Sequence, residues 1–404
     1  MEDGLFMSFD WDIYNRACNV IHHGALTNSK RPEIFVKGVG PTHVVKGNGS
    51  TLFDKKGNRY IDYICALGTN LFGYNNPQIN AAIIKQLGHG IVYSLSSELE
   101  IQCAEILKGY LHFVGKFRFL KTGTEACMGA IKIARAHTNR NVIFSEGYHG
   151  WSDPFVSLTP PAVGVPEDFN IKKFVAIEQI NESVAAIILE PIITDYSKER
   201  IEFLIKLREK CNQTGTLLIF DEIITGIRWK NLTFSNDSGI IPDIILLGKC
   251  IGGGLPLSVI GTKPGIGENK EWFVSGTHAG ETLALAACME VIKMIKSTHN
   301  IDLLWTQGQK FIDEFNKFSD LKIVGYPTRG VFEGDPLLRA LFFQESVKAG
   351  YIFGPSFFYN FCHHDFDDIT LNACNDIFTR IKTGMVKLEG PMPTSPFAQQ
   401  QRKG

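Results

Sequence analysis

The sequence predicts an α/β chain: a large domain built on a mostly parallel sheet, plus a smaller α+β domain. Three observations carry that expectation. Short apolar runs at 142–146, 185–190, 217–220 and 244–247 need cover on both faces, as the buried strands of a parallel sheet do. Helical stretches lie between them, as in successive βαβ units. After Thr277 the alternation gives way to long helices broken by short strands. The expected boundaries are 1–70 for an N-terminal segment packing with the small domain, 71–280 for the large domain and 281–390 for the small domain. The Pro/Gln-rich tail, 391–404, is expected to be disordered.

Taken in order, 9–24 has the apolar spacing of a short amphipathic helix and 25–33 reads as polar loops. Residues 43–63 alternate around Lys56-Gly57-Asn58, which suggests an antiparallel hairpin. Helices are expected at 78–87 and 97–109. A strand at 117–120 runs through Thr122-Gly123-Thr124-Glu125 into a helix reaching about Thr138, with Cys127, Ala130, Ile131 and Ala134 on one face. Strands follow at 142–146, 174–179 and 185–190, a helix at 198–212, then strands at 217–220 and 244–247. Helices at 282–298, 303–318, 335–350 and 367–388, with strands in 321–334, complete the chain.

Composition excludes several classes. An apolar fraction of 44% and a charged fraction of 21% suit a soluble globular protein. A net charge of −1 gives no reason to expect nucleic acid or an anionic membrane. The nine cysteines lack any C-x-x-C pair, so they read as reduced thiols in a cytosolic chain, with no structural metal expected. The acidic start is not a signal peptide, and no uninterrupted apolar stretch could span a membrane.

The chemistry concentrates in 217–254. Two apolar strands end abruptly in Asp221 and, past Gly248, in Lys249, with Gly252-Gly253-Gly254 beyond. Ligands of open α/β sheets bind at the carboxyl ends of strands, so one carboxylate and one amine face the same rim. An enzyme using pyridoxal phosphate needs that pair: an acid at the pyridine nitrogen and a lysine forming a Schiff base. A carboxylate closing an apolar strand needs a cation, and Arg228 is the structural alternative. Gly123 and Thr124, at a helix start, could cradle a phosphate, although an ordinary N-cap reads the same. Tyr148 in GYHGW could stack on a flat ring or simply fill a turn, and Ile223 would project toward the same ring. Glu190 ends its strand at this rim and needs a partner. Thr277 is a loop hydroxyl with little claim by itself.

TGTEA (122–126), GYHGW (147–151), LEP (189–191), DEIITGIR (221–228), LGKCIGGGLP (247–256) and SGTHAGETLALAA (275–287) together resemble the class III pyridoxal-phosphate-dependent aminotransferases. The likeness is greatest to glutamate-1-semialdehyde 2,1-aminomutase-like proteins and covers nearly the whole chain from Gly38. The resemblance implies fold type I and the cofactor pyridoxal 5′-phosphate. It also implies Lys249 as Schiff-base lysine, Asp221 at the pyridine nitrogen, and Gly123 and Thr124 on the phosphate with Thr277 from the partner of a homodimer. Tyr148 and Ile223 would cover the two ring faces. Arg31 and His149 are candidate substrate contacts. The implied reaction is ping-pong transfer of an amino group between a small-molecule amine and a carbonyl. The alternatives are a 2,1-aminomutase, another reaction on an amino acid such as decarboxylation, or a silent scaffold, which intact Lys249 and Asp221 disfavour. Two departures bear on the choice. The dozen residues 152–163 are shorter than the gating loop of the aminomutase, and Cys65-Ala66-Leu67-Gly68 replaces its Gly-Ser-Trp segment.

Overall fold

A computed structural model describes residues 9–159, 162–166, 169–297 and 300–395. The described residues form two compact units, one within 77–301 and the other joining 9–76 to 302–395.

The 77–301 unit is organised by seven strands: β1 Lys116–Leu120, β2 Val142–Glu146, β3 Ile171–Lys173, β4 Val184–Leu189, β5 Leu217–Asp221, β6 Ile244–Leu247 and β7 Ser258–Thr262. Their order is β1-β7-β6-β5-β4-β2-β3. β7 is antiparallel to both neighbours and the remaining pairings are parallel. Every residue of β4, β5, β6 and β7 is buried, and β4, β6 and β5 as far as Phe220 are continuous apolar runs for that reason. The helix Gly123–Thr138 lays Ala126, Cys127, Ala130, Ile131 and Ala134 on the sheet, packed with Ile188, Ile219, Leu246 and Ile260. Helices Pro77–Leu87 and Glu98–Lys108 pack on Thr282–Ser297. That packing places Thr282–Ser297 in the 77–301 unit.

Three expectations change. The strand at 174–179 is instead β3, because the Gln179 side chain accepts from the amides of Val175 and Ala176 and takes them out of a ladder. β7 was missed, since Ser258, Gly261 and Thr262 dilute its apolar signal. The helix at 367–388 stops at Lys382, ahead of Gly384 at φ +71°.

The other unit holds a four-stranded sheet ordered Lys46–Asn48, Thr51–Phe53, Arg59–Asp62, Tyr351–Ile352, and a three-stranded antiparallel sheet ordered Lys322–Tyr326, Arg329–Glu333, Ser356–Phe358. Asp54 accepts from the amides of Lys56 and Asn58, closing the hairpin turn where the sequence placed it. An aromatic core fills the unit: Tyr63 stacks on Phe353 and His363, and Phe342 on Phe378. The expected disorder of 391–404 lies partly outside the described residues; Thr394 donates its amide to the Glu33 carbonyl at 2.7 Å. No helix among the described residues is long and apolar enough to cross a membrane.

Candidate active site

The parallel register sets Asp221 opposite Leu246, so β5 delivers its carboxylate to the same rim that β6 leaves at Leu247, two residues before Lys249. Asp221 is 4% exposed. Its Oδ2 lies 2.7 Å from His149 Nδ1 and accepts from Cys127 Sγ at 3.5 Å, while Oδ1 accepts from the Ile223 amide at 3.1 Å. A carboxylate offers about four lone-pair positions, so one more donor can be received. The side chain that meets Asp221 is the His149 ring and not Arg228, the structural alternative to a pyridinium nitrogen.

His149 was expected as a substrate contact. Its side chain is fully buried and its Nε2 faces the Glu146 carbonyl at 3.0 Å, so the ring supports Asp221 from beneath and offers no free nitrogen to a substrate. Burial opposes the charged ring, but the hydrogen bond and charge of Asp221 outweigh it and raise the imidazole's pKa. Burial and the adjacent Asp221 push the Cys127 thiol well above its ordinary range, which keeps it a protonated donor. The three ligand atoms lie within 4.8 Å of one another, and these hydrogen bonds account for their closeness.

Thr122 caps the helix Gly123–Thr138, its hydroxyl accepting from the Glu125 amide and its carbonyl from Ala126. The Gly123 and Thr124 amides have no partner among the described residues, as expected at the open first turn of a helix. Ile223 closes one side of this cup. A Cβ on Gly123 would come within 2.8 Å of Ile223 Cδ1, and one on Gly248 within 3.0 Å of Ile223 Cγ2. One isoleucine therefore touches the helix start and the residue before Lys249, joining the two halves of the site. Gly150 closes another side: at φ +101°, its Cβ would lie 2.2 Å from Thr124 Oγ1.

Lys249 begins the turn Lys249–Gly252 with φ +49°, in the left-handed region, a conformation costing of order 1–3 kcal/mol for a non-glycine residue. Cys250 Sγ, donating to the Gly226 carbonyl at 3.2 Å, holds that turn to the segment after Asp221. Glu222, fully buried, pins the same segment by accepting from the Thr225 hydroxyl, the Phe234 amide, and the amide and hydroxyl of Ser235.

Tyr148 is 54% exposed, and its amide donates to Glu190 Oε1 at 3.2 Å. Arg200 ties the two strand ends beneath, bonding Glu146 Oε1 and the carbonyls of Glu190 and Pro191. Thr277 is exposed and lines a groove with Lys121, Glu125, Pro256 and Glu281. Arg31 belongs to the other unit, where its Nε is buried without a hydrogen-bond partner among the described residues. The structure therefore gathers Gly123, Thr124, His149, Asp221, Ile223 and Gly248 at one rim. Sequence reading missed the Cys127 and His149 contacts to Asp221 and the role of Gly150. Cys127 was legible only as one of an apolar stripe; the glycine after His149 was the available signal.

A family model described as "Aminotransferase class-III" matches residues 35–176 and 167–332. A glutamate-1-semialdehyde 2,1-aminomutase of Syntrophomonas wolfei subsp. wolfei is 31% identical over 396 residues, covering 86% of this chain and 91% of that one. Among solved structures, the FumI protein of Sphingopyxis sp. MTA144 in its pyridoxal-phosphate internal aldimine form superposes with a TM-score of 0.86 at 24% identity, covering 95% of this chain and 98% of that one. An omega-transaminase from Sphaerobacter thermophilus superposes with a TM-score of 0.79 at 23% identity, covering 91% and 97%.

Proposed function

Because the chain belongs to the class III aminotransferases, enzymes that use pyridoxal 5′-phosphate on fold type I, we propose that it moves an amino group between a small-molecule amine and a carbonyl acceptor, with Lys249 and Asp221 as its catalytic residues. The observation that carries this reading is the convergence, around Ile223, of a buried carboxylate with one acceptor position open, two unpartnered helix-start amides and the segment leading to Lys249. These residues fit the cofactor. The amides of Gly123 and Thr124, with the Thr124 hydroxyl, would hold its phosphate at the positive end of a helix. Thr277 would join them from the partner subunit. Asp221 would accept a hydrogen bond from the protonated ring nitrogen and so keep the proton on that nitrogen.

When bound, the cofactor supplies an electrophilic carbonyl carbon and a ring that accepts an electron pair. The chain does the rest. Lys249 Nζ would hold the cofactor covalently and, once freed by the substrate amine, carry a proton to and from the substrate carbon. His149 would sustain the charge of Asp221 from beneath. Ile223 and Tyr148 would pack on opposite ring faces, with Glu190 fixing the Tyr148 backbone. Arg31 would receive a substrate carboxylate.

A second reading is favoured by the 31% identity to an aminomutase: intramolecular transfer on glutamate-1-semialdehyde. The short 152–163 segment favours transamination, because a mutase must retain its intermediate between half-reactions. The test is a panel of amino donors against keto acids and keto sugars, read as loss of the cofactor's near-visible absorbance on adding donor and its return on adding acceptor. Conversion of glutamate-1-semialdehyde without any donor would select the mutase, and release of carbon dioxide a decarboxylase.

The proposal includes a cytosolic homodimer. The class III family supports the dimer, and the nine cysteines, all free thiols, support the compartment. A solution mass of twice the chain mass is expected.

A further inference from the structure

We infer that the Lys121–Glu281 ion pair is a positioning device for the phosphate sites of the dimer: it fixes the segment 276–281 to its own chain's turn at 121–125, and so sets where Thr277 is presented to the partner subunit's phosphate. The inference rests on the reading of Gly123, Thr124 and Thr277 as phosphate contacts.

Lys121 follows β1 directly and precedes the N-cap Thr122. Its Nζ lies 2.8 Å from Glu281 Oε2, with the side chains only 15% and 12% exposed, and also donates to the Pro256 carbonyl at 3.2 Å. Water screens such a pair poorly, so it differs from the surface ion pairs that contribute little. Glu281 has a second task. Its Oε1 accepts from the Leu283 amide at 2.7 Å and its Oε2 from Ala284 at 3.3 Å, so it also caps the helix Thr282–Ser297. One ammonium thereby joins three segments: the turn at 121–125, the loop after Lys249 that ends at Pro256, and the segment carrying Thr277. The turn is held in addition by Ser258 Oγ, which donates to the Thr122 carbonyl at 2.7 Å.

The other anchors of the Thr277 segment lie at its ends. Arg118 and Lys132 bind the carbonyls of Val274 and Phe273, and Thr282 bonds the carbonyls of Gly90 and Ile91. They fix where the segment starts and stops. Lys121 acts within the segment, through Glu281 four residues after Thr277, where a shift of about an ångström is enough to lose the contact Thr277 would make in the partner's site.

The test compares wild type with Lys121→Met, Glu281→Gln, the double variant and Lys121→Arg, measuring pyridoxal phosphate dissociation constants and apoprotein melting temperatures. Glu281→Gln keeps an acceptor oxygen for the helix cap and removes only the charge. Each neutralising substitution is expected to weaken cofactor binding about tenfold, the equivalent of 1.4 kcal/mol. The double variant should be no weaker than the singles, and Lys121→Arg should restore binding. Unchanged affinity in the variants, or a lower melting temperature with unchanged affinity, would overturn the inference while leaving the cofactor reading intact. A wild type that takes up no pyridoxal phosphate would overturn the cofactor reading itself.

Discussion

The imidazole of His149 lies between two acceptors, Asp221 Oδ2 at 2.7 Å from Nδ1 and the Glu146 carbonyl at 3.0 Å from Nε2. A neutral ring has one N–H and can serve only one of them. Both bonds form only when the ring carries both protons; burial opposes that form, and the hydrogen bond and charge of Asp221 outweigh burial and raise the imidazole's pKa.

A group whose folded pKa is raised stabilises the fold fully below its unfolded value, about 6.5 for histidine, and loses that contribution as pH rises through the folded value. His149→Phe should therefore be destabilised by about 3 kcal/mol in weakly acidic solution, with the gap to wild type narrowing as pH increases. Denaturant melts at a series of pH values check this. A gap that widens with pH would contradict it.

Gly150→Ala should disturb the phosphate site from outside it. The added methyl would meet Thr124 Oγ1 at 2.2 Å from a backbone at φ +101°, so both clash and strain apply. A loss of more than about 1 kcal/mol of stability is expected. Cofactor affinity should fall as well, measurable by titrating the apoprotein with pyridoxal phosphate.

Gly123 and Ile223 should behave as a coupled pair. Gly123→Ala drives a methyl to 2.8 Å from Ile223 Cδ1, whereas Ile223→Ala removes the obstructing atoms. The double variant should bind pyridoxal phosphate better than Gly123→Ala alone, a departure from additivity of about 1 kcal/mol in a double-mutant cycle. Strictly additive affinities would show that the two positions do not meet.

Glu222→Gln tests the support of the Asp221 segment. The carboxylate receives two amides and two hydroxyls while fully buried, and a glutamine would turn donor hydrogens toward some of them. The expected loss is about 1–3 kcal/mol in thermal or denaturant unfolding.

Legibility in the sequence followed burial and strand polarity. β4, β5 and β6 announce themselves because every side chain is buried, so their ends, and with them Asp221 and the approach to Lys249, could be placed before any coordinates. β7 could not, because it is antiparallel and its Gly261 serves close packing: a Cβ there would meet Ile245 and Val114 at 3.0–3.1 Å. His149 was noticed, but as a substrate group, since sequence order cannot say that residues 72 positions apart share a hydrogen bond. Nothing in the sequence singles out Lys121 either, its partner Glu281 lying 160 residues away. The substrate side stayed least legible: Arg31 belongs to a different compact unit from Asp221 and Lys249.

The central claim is that Lys249 holds the cofactor. Protein loaded with pyridoxal phosphate, reduced with borohydride, digested and mapped by mass spectrometry should carry the cofactor's mass on the peptide containing Lys249. Lys249→Ala should show neither the adduct nor turnover. An adduct on another lysine, or a Lys249→Ala variant that turns over at the wild-type rate, would contradict the account.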